Sequence, residues 1–587
     1  MKKRRLLYAI ILLVLIIHIK CLDNKFVNLD DPYYLNHEYI KNFNWNNFKL
    51  ILNPSSNMDR GNYYQPVVFI TYALDYTIWK LNYSGYHLTN LLIFIITLLP
   101  LYVFTTTFFK NKYISLVTVL LFATHPLHME PVAWISGRPL LLAGFFIFTT
   151  LYFFIISSEN ISYKVISIIS LFLAILSHPV SCLFPFVILL IYSFPGFSQG
   201  KTLRHKIISF LPYILTVLLV EITLFFLHAQ KNRAEMITGY TYILTSIKVL
   251  GKYGEIIFWP VKLSAIYPAK TDTSIILSLC LLIILVSSLI YSFIKEKRLF
   301  FSLAWFVIFY IPVSNIFFII HPDVPVADRY LYLPSYGVFL GFAIVTSRVW
   351  EDNKKISKII LSTCLIIIIT ILSLSSYERC VVWKNSLTLW NDSLKKYPDL
   401  YKAFNGRGLY YTDDKEYDMA MNDFNCAIRI KPDYGEAYYN RGKLYKIKGE
   451  YNKAIDDFTR AINIYEDFDI YIERAISFYK SGNYDKAIDD FTYMLKYNPQ
   501  AIEVYNYRGT IYNIKGEYNK AINDFTRALE INDSYPILYQ NRAFSYFKQK
   551  EYKKAWEDIN KLTEKGYNIE ASFLKELEEA SGQKMDN

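Results

Sequence analysis

The sequence predicts an all-α chain built as a polytopic membrane helical bundle of about eleven spans followed by a solenoid of helix pairs. Three observations carry this expectation. Of the 587 residues, 53% are hydrophobic and 17% aromatic, and the mean hydropathy is positive, which is too apolar for an ordinary soluble protein of this size. Runs rich in Leu, Ile and Phe end near Ser375, where charged residues and tyrosine take over. Beyond Pro398 the chain repeats itself at the short, fixed period of a helical-repeat array.

A span needs about 20 mostly apolar residues. Runs of this kind lie near residues 6–22, 86–108, 113–126, 139–156, 163–178, 180–195, 207–228, 274–294, 299–320, 330–349 and 356–376. The first follows a basic head and lacks a small-residue cleavage site, as an uncleaved signal anchor would. Tyr240–Trp259 has helical periodicity but carries Lys248, Lys252 and Glu255, so it is expected to lie along the interface. The domains are then 1–376 for the membrane region, 377–402 for a juncture helix, 403–571 for five repeats and 572–587 for a tail.

Basic residues set the orientation. Lys2, Lys3, Arg4 and Arg5; Lys110 and Lys112; Lys201, Arg204 and Lys206; Lys295, Lys297 and Arg298; and Lys354, Lys355 and Lys358 all fall on one side of the span count, the cytoplasmic side. An odd number of spans places the repeats outside, in the periplasm if the chain is bacterial. The net charge of +12 is used up in these clusters, so a nucleic-acid partner is not expected. The six cysteines have no CxxC spacing and argue against both a disulfide framework and a zinc site.

In the repeats, Gly408, Gly442, Ala475, Gly509 and Ala543 recur once per unit of about 34 residues, the period of tetratricopeptide repeats. Each is followed three positions later by Tyr or Phe and twelve positions later by Ala, and small residues at such places let two helices cross closely. Arg407, Arg441, Arg474, Arg508 and Arg542 precede Asp423, Asp457, Asp490, Asp524 and Asp558 at one constant offset, which suits a structural ion pair between the two helices of one unit better than the alternative, a ligand-binding arginine ladder. Such solenoids offer a concave surface to peptides or partner proteins.

The outward loops hold the unusual polar residues. "FVNLDDPYYLNHEY" places Asp30 and Asp31 just past the first span, where they avoid the roughly 2.5–3.5 kcal/mol that a charge costs inside a spanning helix. Local sequence alone is satisfied by a solvated loop or a helix cap. Pro32, however, biases Asp31 toward an extended backbone, which would point the two carboxylates to opposite sides and give them separate tasks. His125, His128 and Glu130 form HxxHxE, but Pro126 and Pro131 oppose a regular helix carrying metal ligands on one face. Orienting a polar ligand and closing a helix end are equal alternatives for these three. His87 and Asn90 either line the same cavity or bridge neighbouring spans.

An acidic pair in the first outward loop is a feature of GT-C membrane glycosyltransferases, and the chain resembles one branch of them, the transmembrane and tetratricopeptide-repeat O-mannosyltransferases and their bacterial relatives. The stretches "GYHLTNLLIF", "HPLHMEPVAWISGRPLLLAG", "ADRYLYLPSYG" and "YERCVVWKNSLTLWNDSLKKYP" carry the likeness, in order along nearly the whole chain. The chain departs from the pattern at Gln65, where arginine is usual, at His178 and Pro179, where a Lys-Glu pair is expected, and at Asp328, where glutamate is common.

The resemblance implies an inverting transferase that moves a sugar, mannose by analogy, from a polyprenyl-phosphate donor to a hydroxyl of an exported protein or glycan, with the repeats recruiting the acceptor. Asp30 is the expected base with Asp31 in support, the reverse assignment remaining open. Arg138 and Arg329 are expected at the lipid phosphate, with His125, His128, Glu130, Asp328 and His87 completing the substrate site. No metal or other cofactor is expected. The alternatives are a non-enzymatic membrane scaffold built on the repeats and a flippase, the latter disfavoured because polar residues gather on one side rather than through mid-span.

Overall fold

A computed structural model describes residues 2–53, 64–157, 160–194, 197, 202–228, 240–268, 273–314, 326–352 and 354–583. Lys201, the end of the predicted 299–320 span and His321 lie outside these residues. The chain divides into a unit of residues 1–406 and a unit of residues 407–587.

Each apolar run of the first unit contains a helix, from Lys2–His18 to Lys355–Val382. Among the described residues four are long and apolar enough to cross a membrane: Tyr83–Phe109, Ile135–Ile156, Ile275–Lys295 and Lys355–Val382. A fifth crossing exists if Lys112–Thr124 and Pro126–Ala133, bent by 56°, count as one broken span. The remaining runs fold as shorter pieces. Ile161–Ile175 and Phe184–Tyr192 are separated by a turn at His178 and Pro179, because proline lacks the N–H that would continue the helix. Ile275–Lys295 and Lys355–Val382 each bury only 11% of their apolar window, so most of their Leu and Ile side chains face outward, as lipid-facing surfaces do.

Three of the basic turns, near Lys110, Lys297 and Lys354, meet at one end of these helices. Asn111, between Lys110 and Lys112, caps its helix and bonds the Glu351 carboxylate at 2.9 Å, and Arg348 pairs with Glu296 at 3.0 Å. The loops at the opposite end are joined to one another by a separate set of bonds, described below. Tyr240–Phe258 belongs to that end: it buries Val249, Tyr253 and Ile256, and its Ile257 carbonyl meets His125 Nε2 at 2.9 Å. One cysteine reading is corrected. Cys21 and Cys380, 359 residues apart, form a disulfide between the ends of the first and last apolar helices, a pairing that sequence spacing could not show.

In the second unit, helix pairs follow one another from the Tyr417–Ile430 partner of the first repeat to Pro536–Lys548 and Tyr552–Glu564. In three units the glycine of the first helix sits on the phenylalanine of the second: a Cβ on Gly408 or Gly442 would lie 2.7 Å from the Phe424 or Phe458 ring, and one on Gly509 2.8 Å from Phe525. The arginine–aspartate offset closes as five bidentate pairs, Arg407–Asp423, Arg441–Asp457, Arg474–Asp490, Arg508–Asp524 and Arg542–Asp558, with N–O distances of 2.7–2.9 Å. The segment expected as a tail starts with a helix, Ala571–Ser581, that buries Phe573 and Leu577 and accepts Trp556 Nε1–H at Ser581. It covers the apolar side of the last repeat, which a solenoid would otherwise leave open.

Because Asp490 is mostly buried and both its oxygens are engaged, Asp490→Ala leaves the Arg474 guanidinium without its acceptor. Chemical denaturation should show a loss of about 1.5–3 kcal/mol, whereas the paired change Arg474→Met with Asp490→Leu should recover most of it.

Candidate functional site

The loop after the first apolar helix ends in a short helix, Asp31–Leu35, with Pro32 in its first turn. Asp31 is therefore helical rather than extended, and its carboxylate turns back into the protein. Oδ2 accepts the Val27 N–H at 2.9 Å, and Oδ1 accepts both the Ser136 N–H at 3.1 Å and its hydroxyl at 2.6 Å. Burial pushes the Asp31 carboxyl up to about 6 against the pull of these donors. Asp30 occupies the cap position of the same helix but caps nothing. Its side chain remains exposed while protein crowds around it, which places the carboxylate in a recess. Desolvation raises its pKa and the nearby Arg329 guanidinium lowers it, with a net upward shift. The two acids do diverge, though by helix geometry and not by strand alternation.

Arg329 reaches this recess from the other end of the apolar region. It lies in a 3-10 turn, Asp328–Leu331, and Glu130 clamps it twice: Oε2 accepts the Arg329 backbone N–H at 3.0 Å and Oε1 accepts Nη1–H at 2.6 Å. The Glu130 side chain is 1% exposed whereas that of Arg329 is 21% exposed, so the pair presents its cation outward. No other hydrogen bond leaves the guanidinium among the described residues. Its central carbon lies 5.1 Å from the ring centre of Trp134 and 5.1 Å from that of Tyr330. Burial opposes the charge, but Glu130 and then Tyr330 outweigh it and hold Arg329 protonated. Burial, together with the Arg329 charge nearby, pushes His178 down to about 4, so it is a neutral imidazole at this edge.

The other predicted site residues form the framework. His125 Nδ1 accepts the Leu127 N–H at 3.3 Å, and its Nε2 meets the Ile257 carbonyl. His128 lies between the Phe122 carbonyl and the Ser335 hydroxyl. With these nitrogens engaged, the HxxHxE residues do not converge, and no metal-ligand cluster occurs among the described residues. His87 lies against the backbone of Asn24 and Lys25, at the start of the Asp30 loop. Asp328 is buried and accepts Tyr267 O–H at 2.6 Å; burial and then the Glu130 carboxylate raise its pKa.

Arg138 is placed apart from Arg329. It is fully buried, with Nη2 2.6 Å from Asp75 Oδ2, Nε donating to Asn90 at 2.7 Å, Nη2 donating to the Tyr86 carbonyl at 3.2 Å, and the guanidinium lying over Tyr72 at 4.4 Å. With its donors so occupied, Arg138 ties the helix Pro66–Trp79 to Tyr83–Phe109. The preceding Gly137 permits this, since a Cβ there would fall 2.6 Å from the Pro131 backbone.

Sequence reasoning passed over Asp75, Ser136, Tyr267 and Trp134. Asp75 had a readable signal, a lone acid inside "VVFITYALDYTIW". Ser136 and Tyr267 had none, because their importance arises only from the partner that folding brings to them.

Comparison with known proteins follows the same division. The tetratricopeptide-repeat model matches residues 435–468 and 502–535, and a TPR-repeat model matches residues 408–447. The protein O-mannosyl-transferase TMTC3 of Homo sapiens is 25% identical over 415 residues, covering 62% of this chain and 44% of its own. The protein O-mannosyl-transferase F38B6.6 of Caenorhabditis elegans is 25% identical over 401 residues, covering 62% and 54%. The chain thus spans about half the length of these curated relatives. Among solved structures, the TPR protein YrrB is 18% identical with a TM-score of 0.28, covering 29% of this chain and 89% of its own. The chain resembles the transmembrane and tetratricopeptide-repeat protein O-mannosyl-transferases in its sequence, and it carries tetratricopeptide repeats itself.

Proposed function

We propose that the chain is a membrane glycosyltransferase of the GT-C kind that transfers a sugar, mannose by analogy with its relatives, from a polyprenyl phosphate to a hydroxyl of an exported protein. The observation that carries this reading is that Asp30 and Arg329, from opposite ends of the apolar region, meet over one turn: Asp31 beside Asp30 is bonded to Ser136, and Arg329 lies over Trp134 two residues earlier. The acceptor oxygen attacks the anomeric carbon as its proton passes to the Asp30 carboxylate. A new C–O bond forms while the bond from that carbon to the phosphate oxygen breaks, its electron pair leaving with the lipid monophosphate. One displacement inverts the anomeric centre.

Arg329 is the cation for the departing phosphate, since its outer donors meet no acceptor among the described residues and Glu130 and Trp134 fix its plane. Arg138 supports the fold around the site rather than the phosphate. In this reading a monophosphate needs no divalent metal. The recess opens on the non-cytoplasmic face of a bacterial inner membrane, the repeats stand on the same side, and they hold the acceptor protein. Asp31 places the loop, in agreement with its three hydrogen bonds to Val27 and Ser136.

The test is transfer of radiolabelled mannose from polyprenyl-phosphate mannose to protein in membrane vesicles. Asp30→Asn should lower kcat by roughly 10²–10⁴-fold, as loss of a general base does, with the protein still folded. Arg329→Gln should lower kcat about 10²-fold or more, whereas Arg138→Gln should lower the yield of folded protein. A scaffold would retain its partners in the Asp30 and Arg329 variants and show no transfer in the wild type.

The pH profile is a second check. Asp30 works as a base only when ionised, and its pKa is raised, so activity should fall as the pH drops through a value above the usual aspartate value of about 3.9. Asp30→Glu should move that acid limb, and Asp30→Asn should abolish it.

A further inference from the structure

The segment from Cys380 to Gly406 contributes no group to the proposed chemistry, yet it touches what holds each of the two groups that do. On the Arg329 side, Trp134 lies between the guanidinium and Trp383: the two indoles stack at 5.9 Å with planes 26° apart, and both are buried. Trp383 is therefore the back wall of the surface on which Arg329 rests.

On the Asp30 side the contact is polar and runs through Asn28, two residues before the acid. The Asn28 N–H donates to Ser386 Oγ at 2.9 Å, its Nδ2 donates to the Gly406 carbonyl at 2.8 Å, and its Oδ1 accepts Trp390 Nε1–H at 2.8 Å. Lys25 N–H donates to the Lys384 carbonyl at 2.8 Å, and Cys21 is bonded to Cys380. The approach of Gly406 to the indole admits no side chain, since a Cβ would lie 2.4 Å from the Trp390 ring. Besides the bonds that Asp31 makes, the loop is thus pinned at both its start and its middle, immediately ahead of Asp30.

We propose that Trp390 and Trp383 are positioning residues of the transferase site: Trp390, through Asn28, sets where the Asp30 carboxylate stands, and Trp383, through Trp134, sets the plane of Arg329. This rests on the transferase reading and extends it to a segment that leads directly into the repeats. Displacing a reacting group by about 1 Å can cost roughly 10²-fold in rate. A loosened loop therefore lowers turnover more than it lowers donor binding, which depends on the lipid tail and the phosphate.

The experiment measures kcat and KM for polyprenyl-phosphate mannose in the full chain, together with hydrogen–deuterium exchange of residues 24–31. Trp390→Phe keeps an aromatic ring and removes the N–H, Asn28→Ala removes the side-chain link, and Trp350→Phe at the basic end is the control. Trp390→Phe and Asn28→Ala should each lower kcat roughly ten- to a hundredfold, leave KM within about twofold and speed exchange over 24–31. The double variant should be no worse than Asn28→Ala, because both remove one link. Trp383→Leu should lower kcat without changing exchange at 24–31. Unchanged kcat in Trp390→Phe and Asn28→Ala, or an effect on KM alone, would overturn the proposal while leaving the transferase reading intact. If the wild type transfers no sugar, the transferase reading fails, and unchanged exchange over 24–31 would then also remove the mechanical link.

Discussion

The architecture of the candidate site depends on one buried carboxylate. Glu130 is almost wholly removed from water, and an ionised group in that position is tolerable only when its oxygens are bonded to donors. Arg329 supplies both donors, one from the backbone and one from the guanidinium. The bent segment after Thr124 and the turn before Pro334 are thereby locked together. The same ion pair leaves the outer side of the guanidinium toward the recess. Arg329 can be both a structural tie and a cation for a ligand because its planar group has five donors and Glu130 takes only one of them.

Asp31 does the corresponding work for the first loop. Its three hydrogen bonds to Val27 and Ser136 anchor the loop to the turn that leads into Arg138, and Arg138 in turn is bonded to Asp75 and Asn90. Asp31, Arg138 and Glu130 are thus each answered by a group from a distant segment of the chain. The accessible groups, Asp30 and Arg329, are carried on that lattice. A site made of two loops from distant parts of the chain is held within hydrogen-bond tolerance only if such cross-links surround it.

The two units are stabilised by different means. In the first, aromatic side chains such as Trp305, Phe148 and Tyr336 fill the space between helices, and polar bonds concentrate at one end. In the second, one solution is repeated: a small residue, a phenylalanine above it and a bidentate arginine–aspartate pair beside it. A repeated solution gives a regular surface suited to an extended partner, whereas the first unit is irregular because its loops must reach one another.

The repeats could be read residue by residue from sequence because a fixed period makes local spacing equivalent to spatial contact; the constant offset that joins Arg441 to Asp457, and recurs in every unit, already implies that the two face each other. The apolar helices were legible for a similar reason, since hydropathy is a local property, although proline breaks such as that at Pro179 left several of them short of a full span. Candidate residues were legible as types in outward loops. Their roles were not, because burial and partners depend on what lies across the fold. Only the tertiary structure turned Asp31 inward and left Asp30 in the recess, committed Arg138 to Asp75, and paired Cys21 with Cys380. Sequence records which groups are available, and desolvation after folding decides which of them must be satisfied internally and which remain able to meet a ligand.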